Sequence, residues 1–133
     1  MTEIENEDIR FWIDDGILFS EYKNPFYMNV ENSKTIYELR NKISAGKDQY
    51  FCYDISNLKS MTKEARDYGE IHGQHNLAAS SIIVNSHIAL FLYNTFLKIK
   101  KVKIPVKAFK NKEDAVKWLK ELKNSNHSVG SSE

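Results

Sequence analysis

The sequence is poor in the residues that most specialised chemistry requires. Its 133 residues include one cysteine, Cys52, so no disulfide can form within the chain. Five glycines, at 16, 46, 69, 73 and 130, match neither a dinucleotide-binding turn nor a phosphate-binding loop. Neither sign of charge dominates: 19 Lys plus Arg stand against 18 Asp plus Glu, for a net charge of +1. No global field therefore draws nucleic acid or an anionic membrane surface. The most apolar stretch, IALFLYNTFLKI, is interrupted by Asn94 and too short to span a bilayer. The start, MTEIENED, is acidic where a secretion signal is basic and then apolar. With a single free thiol, that start points to a cytoplasmic protein.

Catalytic constellations are equally scarce. Ser56, Ser60, Ser80 and Ser81 lie outside any G-x-S-x-G elbow, and Cys52 sits inside the apolar run Tyr50–Tyr53, where a thiol packs as a small hydrophobe. Glu70, His72, His75 and His87 are the nearest approach to a metal set. Gly73 interrupts the helical register between the first two histidines, and no cysteine joins them. The acid pairs Asp14-Asp15 and Glu113-Asp114 are accounted for by a turn and by a helix N-terminus. These readings leave no catalytic residues, no metal and no cofactor.

What remains is ordinary globular material, 41% hydrophobic and 28% charged, enough for one domain with a single core. Its charge is unevenly laid out. Residues 1–15 carry six acids and one arginine, whereas KIKKVKIPVKAFKNK (98–112) carries lysines, no acid and no arginine. Without arginine, that stretch reads as a solvated rim around a buried strand and not as a phosphate reader.

Periodicity divides the chain. IRFWI and GILFSEY flank Asp15-Gly16, a hairpin signal, and Pro25 ends the second of these strands. Asn29 caps a first helix with Ile36, Leu39 and Ile43 on one face and Gly46 as its stop. QYFCYDI is apolar enough to be a strand covered on both faces. Ser60 and Thr62 are caps for a second helix with Ala65, Tyr68 and His72 on one face. AASSIIV is a strand, Ser86 caps a third helix, Pro105 opens the strand VKAF, and Asn111 caps a last helix with Ala115, Trp118, Leu119 and Leu122 as its buried stripe. The order is β-β-α-β-α-β-α-β-α, an α/β domain over residues 9–122 with a mostly parallel five-stranded sheet and one antiparallel strand from the N-terminal hairpin. Residues 1–8 form a polar lead, and 123–133 are expected to be a disordered polar tail.

The third helix departs from the usual pattern. Ile88, Leu92, Phe96 and Ile99 form one apolar stripe, while Leu90, Tyr93 and Leu97 fall on the opposite side. A surface helix needs only one such stripe. The second implies a central core helix, a dimer seam, a partner groove or the wall of an apolar pocket.

The element order, together with FCYDISNLKSMT, resembles the STAS superfamily (sulphate transporter and anti-sigma factor antagonist), the SpoIIAA-like architecture. DISNLKSMTKEARDY, VNS and NKEDAVKWLK are similar to small stand-alone STAS/SEC14-like bacterial proteins of unassigned function, over about residues 9–122. The resemblance implies a regulatory strand-loop-helix junction, in which antagonists carry a phosphorylatable Ser after an Asp. Here Thr62 falls on that Asp and Lys63 on that Ser, so the conventional switch is missing. Ser60 and Thr62 remain as candidate phospho-acceptors; a phosphate at a helix N-terminus is electrostatically favoured, though Thr62 is equally a helix cap.

Two functional expectations emerge. The first is a non-catalytic interaction module using Asp54, Ser56 and Asn57 of the junction together with an exposed patch of Leu90, Tyr93 and Leu97, for a protein partner or a homodimer. The second is a carrier or sensor of an apolar small molecule, suggested by the SEC14-like resemblance, with a pocket beside the third helix lined by Phe91, Tyr93 and Phe96.

Overall fold

Two residues of positive φ, Asp15 at 50° and Gly16 at 77°, close the hairpin between β2 (Ile9–Asp14) and β3 (Ile17–Tyr22). A two-residue turn of this hand matches the natural twist of paired strands, so the register is fixed, with Asp14 opposite Ile17 and Ile9 opposite Tyr22. The computed structural model describes residues 2–100 and 102–131. Among these, the chain continues through β4 (Phe26–Met28), α1 (Val30–Ser44), β5 (Gln49–Asp54), β6 (Leu58–Met61), α2 (Lys63–His72), β7 (Leu77–Ile83), α3 (His87–Ile99), β8 (Val106–Phe109) and α4 (Lys112–Ser131). A short β1 (Glu3–Glu5) precedes them.

The main sheet has the order β1-β2-β3-β5-β7-β8, with parallel pairing from β3 to β8. It is an α/β fold with a mostly parallel sheet, as its alternating elements require. The sheet has six strands among the described residues, and not five. The extra one is β1, antiparallel to β2, so the hairpin's first strand lies one place in from the edge. Glu3 and Glu5 face outward and Ile4 packs on the core, a short acidic edge that discourages pairing with another chain. A second, two-stranded parallel sheet joins β4 to β6.

Side chains alternate across the main sheet. On one face Ile9, Phe11, Leu18 and Phe51 pack against Ile36 and Ile43 of α1 and Ala65 of α2. On the same face, Ile82 and Ala108 meet Leu90 and Tyr93 of α3. The opposite face, Ile17, Phe19, Cys52, Ala79 and Ile83, is covered by Ala115 and Leu119 of α4.

The helix caps satisfy backbone groups that would otherwise lose water without replacement. Asn29 and Asn32 form a reciprocal capping box at α1, and the side chains of Thr62 and Ser86 accept from Ala65 N and Ala89 N. Asn111 Oδ1 accepts from Asp114 N at 2.8 Å. At the other end of α1, Ala45 itself takes the left-handed conformation at φ 52°, one residue before Gly46. The last helix does not stop at 122 but runs to Ser131, because residues 123–126 contain no breaker and Asn126 Nδ2 donates to Tyr50 Oη at 2.8 Å. The final two residues of the expected tail, Ser132 and Glu133, lie outside the described residues.

Candidate functional site

The junction after β5 uses most of its polar groups internally. Asp54 Oδ1 accepts from Ser56 N at 2.8 Å, an Asx turn that reverses the chain. Asn57 Nδ2 donates to Tyr22 O at 3.1 Å, and Asn57 O accepts from Phe26 N. Ser60 is exposed in β6 opposite Tyr27, so of the two hydroxyls only Thr62 caps α2. Lys63, at the resemblance's serine position, pairs with Asp67 at 3.0 Å. The chain therefore passes through an extra strand before the helix begins, and Asp54, Ser56 and Asn57 act there as turn and tie residues.

On α3 the two apolar stripes are assigned opposite to the expected patch. Leu90, Tyr93 and Leu97 face the sheet, and Leu90 and Tyr93 pack beside Ile82, Val84 and Ala108. The outward stripe is Ile88, Phe91, Leu92, Phe96 and Ile99, each more than half exposed. The side that packs is the one carrying Asn94. Its amide donates to Ala108 O at 3.2 Å and accepts from Ala108 N at 2.9 Å, pinning α3 to the edge strand β8. Phe91 consequently lies on the outer face and does not line the pocket that Tyr93, Phe96 and Leu97 border.

That pocket is a cavity of about 530 Å³ between the sheet and the layer of α1, α2 and α3. The strands contribute Ser20 and Tyr22, Phe51 and Tyr53, and Ser80 and Ile82. Ser20 and Ser80, on the strands either side of β5, are too small to fill the space beneath the helices, so the layers meet without closing. Overhead are Tyr37 and Arg40 of α1, Gly69 of α2, and Tyr93, Phe96 and Leu97 of α3. Gly69 is a close approach, since a Cβ there would stand 3.1 Å from the Tyr37 hydroxyl. At the rim Lys100 pairs with Glu70, linking α3 to α2.

The polar groups of this cavity are unusual in their partners. Arg40 is only 4% exposed. Its Nη2 donates to the carbonyl oxygens of Gly73 (2.9 Å) and His75 (3.2 Å), just past the end of α2, while its Nε has no partner among the described residues. The guanidinium lies 5.1 Å from the Tyr37 ring centre and 5.5 Å from that of Phe51. Burial lowers its pKa, and the neighbours that offset this are phenols, with no carboxylate among them. The phenols of Tyr22, Tyr37, Tyr53 and Tyr93 are all raised, chiefly by desolvation, and no hydrogen bond contributes. Tyr22 and Tyr53 each feel the charge of Tyr37 and Tyr93, so the four converge on one region.

Sequence pattern singles out neither Arg40 nor three of the four tyrosines as site residues. Arg40 nevertheless carries a signal: it lies four residues after Ile36 and three before Ile43, on the buried stripe of α1. A charge on a core stripe needs an explanation that a solvated one does not.

A model of a family described as a domain of unknown function, DUF7793, matches residues 11–123. The chain belongs to that family. No curated protein matches it. Among solved structures, this DUF7793 chain is similar to an uncharacterised protein of the DUF3478 family with a SpoIIAA-like fold, from Shewanella loihica PV-4. The two are 20% identical with a TM-score of 0.61, over 87% of this chain and 97% of that one. At that identity the likeness concerns the fold, which is SpoIIAA-like.

A second, smaller cleft of about 300 Å³ opens on the α4 side of the sheet, where Asp54 and Ser56 meet Asn85, Lys110 and Lys112. Asn57 does not line this cleft. Among the described residues no three His, Cys, Asp or Glu side chains are grouped to hold a metal ion, and no helix is long and apolar enough to cross a membrane.

Proposed function

We propose that this DUF7793 protein is a non-catalytic binding module whose cavity beneath α2 and α3 takes an apolar small molecule. The observation that carries this reading is the cavity itself: about 530 Å³, floored by Phe51 and Ile82 and bordered by Tyr93 and Leu97. That volume falls within the range of small-molecule sites, and a mainly apolar wall with a few convergent polar groups is their usual composition. The junction argues less strongly for binding, because its side chains are engaged in the turn and the cap.

Titration calorimetry with dodecanol tests the reading. One-to-one binding to the unaltered chain is the expected result. Gly69→Leu, which projects a side chain beside the Tyr37 hydroxyl, should reduce it while leaving the helix intact. Failure of both dodecanol and dodecanoate to bind the unaltered chain would overturn the proposal.

A second reading is favoured by the outer face of α3, where Ile88, Phe91, Leu92, Phe96 and Ile99 form a continuous apolar strip. An apolar strip of this kind, once paired with a second copy of the chain, would leave water. Sedimentation across a concentration series checks it. A dimer that Leu92→Lys disperses supports self-association, and a monomer throughout removes it.

A further inference from the structure

We infer that the cavity is built for a single-chain carboxylate, with the hydrocarbon chain along Phe51 and Ile82 and the anionic head at Arg40 and the phenols of Tyr37 and Tyr53. The inference rests on the cavity reading above and names the chemistry of its ligand. It begins from a buried charge that no carboxylate among the described residues offsets. Arg40 is 96% removed from solvent, since its exposure is 4%, yet no carboxylate is among the groups acting on it. Buried cations are ordinarily paired, because desolvation of an ion is costly and an opposite charge offsets it. Two backbone carbonyls take Nη2, and Nε has no partner among the described residues.

The neighbouring groups are donors as well. The phenols of Tyr22, Tyr37, Tyr53 and Tyr93 stay protonated at neutral pH, and no hydrogen bond from the described residues acts on them. A cation with the phenols of Tyr37 and Tyr53 near it, in a mainly apolar chamber, is complementary to an anionic oxygen head on an apolar body. One buried cation balances one negative charge, which favours a monoanionic carboxylate over a doubly charged phosphate. An ammonium head would meet Arg40 as a like charge. A hydroxyl head would accept hydrogen bonds but leave the cation unpaired.

The test is a calorimetric series on the unaltered full chain with dodecanoate, dodecanol and dodecylammonium at neutral pH. The expected order is dodecanoate tightest, dodecanol weaker by at least about tenfold, and dodecylammonium weakest, from the strength of charge-assisted hydrogen bonds. Dodecanol binding as tightly as dodecanoate would overturn the head-group assignment and leave the cavity reading standing. Failure of all three to bind would overturn both. Arg40→Gln should bring dodecanoate to the affinity of dodecanol, and a preserved preference would overturn the role of Arg40. The three-ligand series on the unaltered chain decides the head-group class even where that variant fails to fold.

Discussion

Burial pushes the phenols of Tyr22 and Tyr53 far above their ordinary value of 10.0, and this links stability to alkaline pH. In the unfolded chain both groups lose their protons near pH 10, whereas the folded chain holds them. Between those limits the native state binds two more protons than the unfolded state, so stability falls as pH rises. It is unaffected below about pH 9, where both states are protonated. Each tyrosine contributes a slope of about 1.4 kcal/mol per pH unit, so the pair gives about 2.7. Two units above 10 the loss reaches about 5 kcal/mol, the lower edge of the stability of a typical domain. The raised phenols of Tyr37 and Tyr93 act in the same direction. Far-ultraviolet circular dichroism and phenolate absorbance, measured together from about pH 8 to about 12.5, should therefore show a late, cooperative ionisation that coincides with unfolding. Tyr53→Phe should remove about half of the paired slope and change stability little at neutral pH, since no hydrogen bond of the hydroxyl is lost. The reasoning is refuted if all seven tyrosines ionise near pH 10 while the chain keeps its native dichroism.

The packing sets three further outcomes. Leu90→Lys should cost about 3 kcal/mol in urea unfolding because it buries a charge beside Ile82 and Ala108, whereas Leu92→Lys on the outer face should stay within about 0.5 kcal/mol; the reverse ranking would invert the orientation of α3. Thr62→Ala should lose about 1 kcal/mol as the bond from Ala65 N goes unmade, while Ser60→Ala, exposed in β6, should be neutral by the same assay. Leu119→Ala, fully buried in the α4 layer, should cost about 2–5 kcal/mol and accelerate alkylation of Cys52 beneath it at least about tenfold.

Local chemistry made much of the architecture legible. The Asp15-Gly16 turn, the caps at Asn29, Thr62, Ser86 and Asn111, and the stripe of Ala115 and Leu119 each depend on residues within a few positions of one another. Such interactions leave their pattern in the sequence. Three short elements did not. Strands β1, β4 and β6 are three or four residues long and gain their hydrogen bonds from other segments, as when Phe26 pairs with Leu58. Over three or four residues periodicity is thin: it sufficed for VKAF of β8 but not for these, whose pattern reads as loop. The extension of α4 likewise depended on a contact between Asn126 and Tyr50, remote in the chain.

The sequence by itself therefore determined the class of fold and the order of its main elements, since turn, cap and alternation are properties of neighbouring residues. It also established that α3 has two apolar sides, but periodicity is blind to which of two equivalent stripes meets the sheet. Only the tertiary structure decided that, through the paired amide of Asn94 on Ala108. The cavity belongs to the same category. It exists because Ser20 and Ser80 lie on strands either side of β5, and because Arg40 and four tyrosines from β3, α1, β5 and α3 arrive at one place. A volume left between elements is a property of their distances, and no single stretch of the chain encodes it.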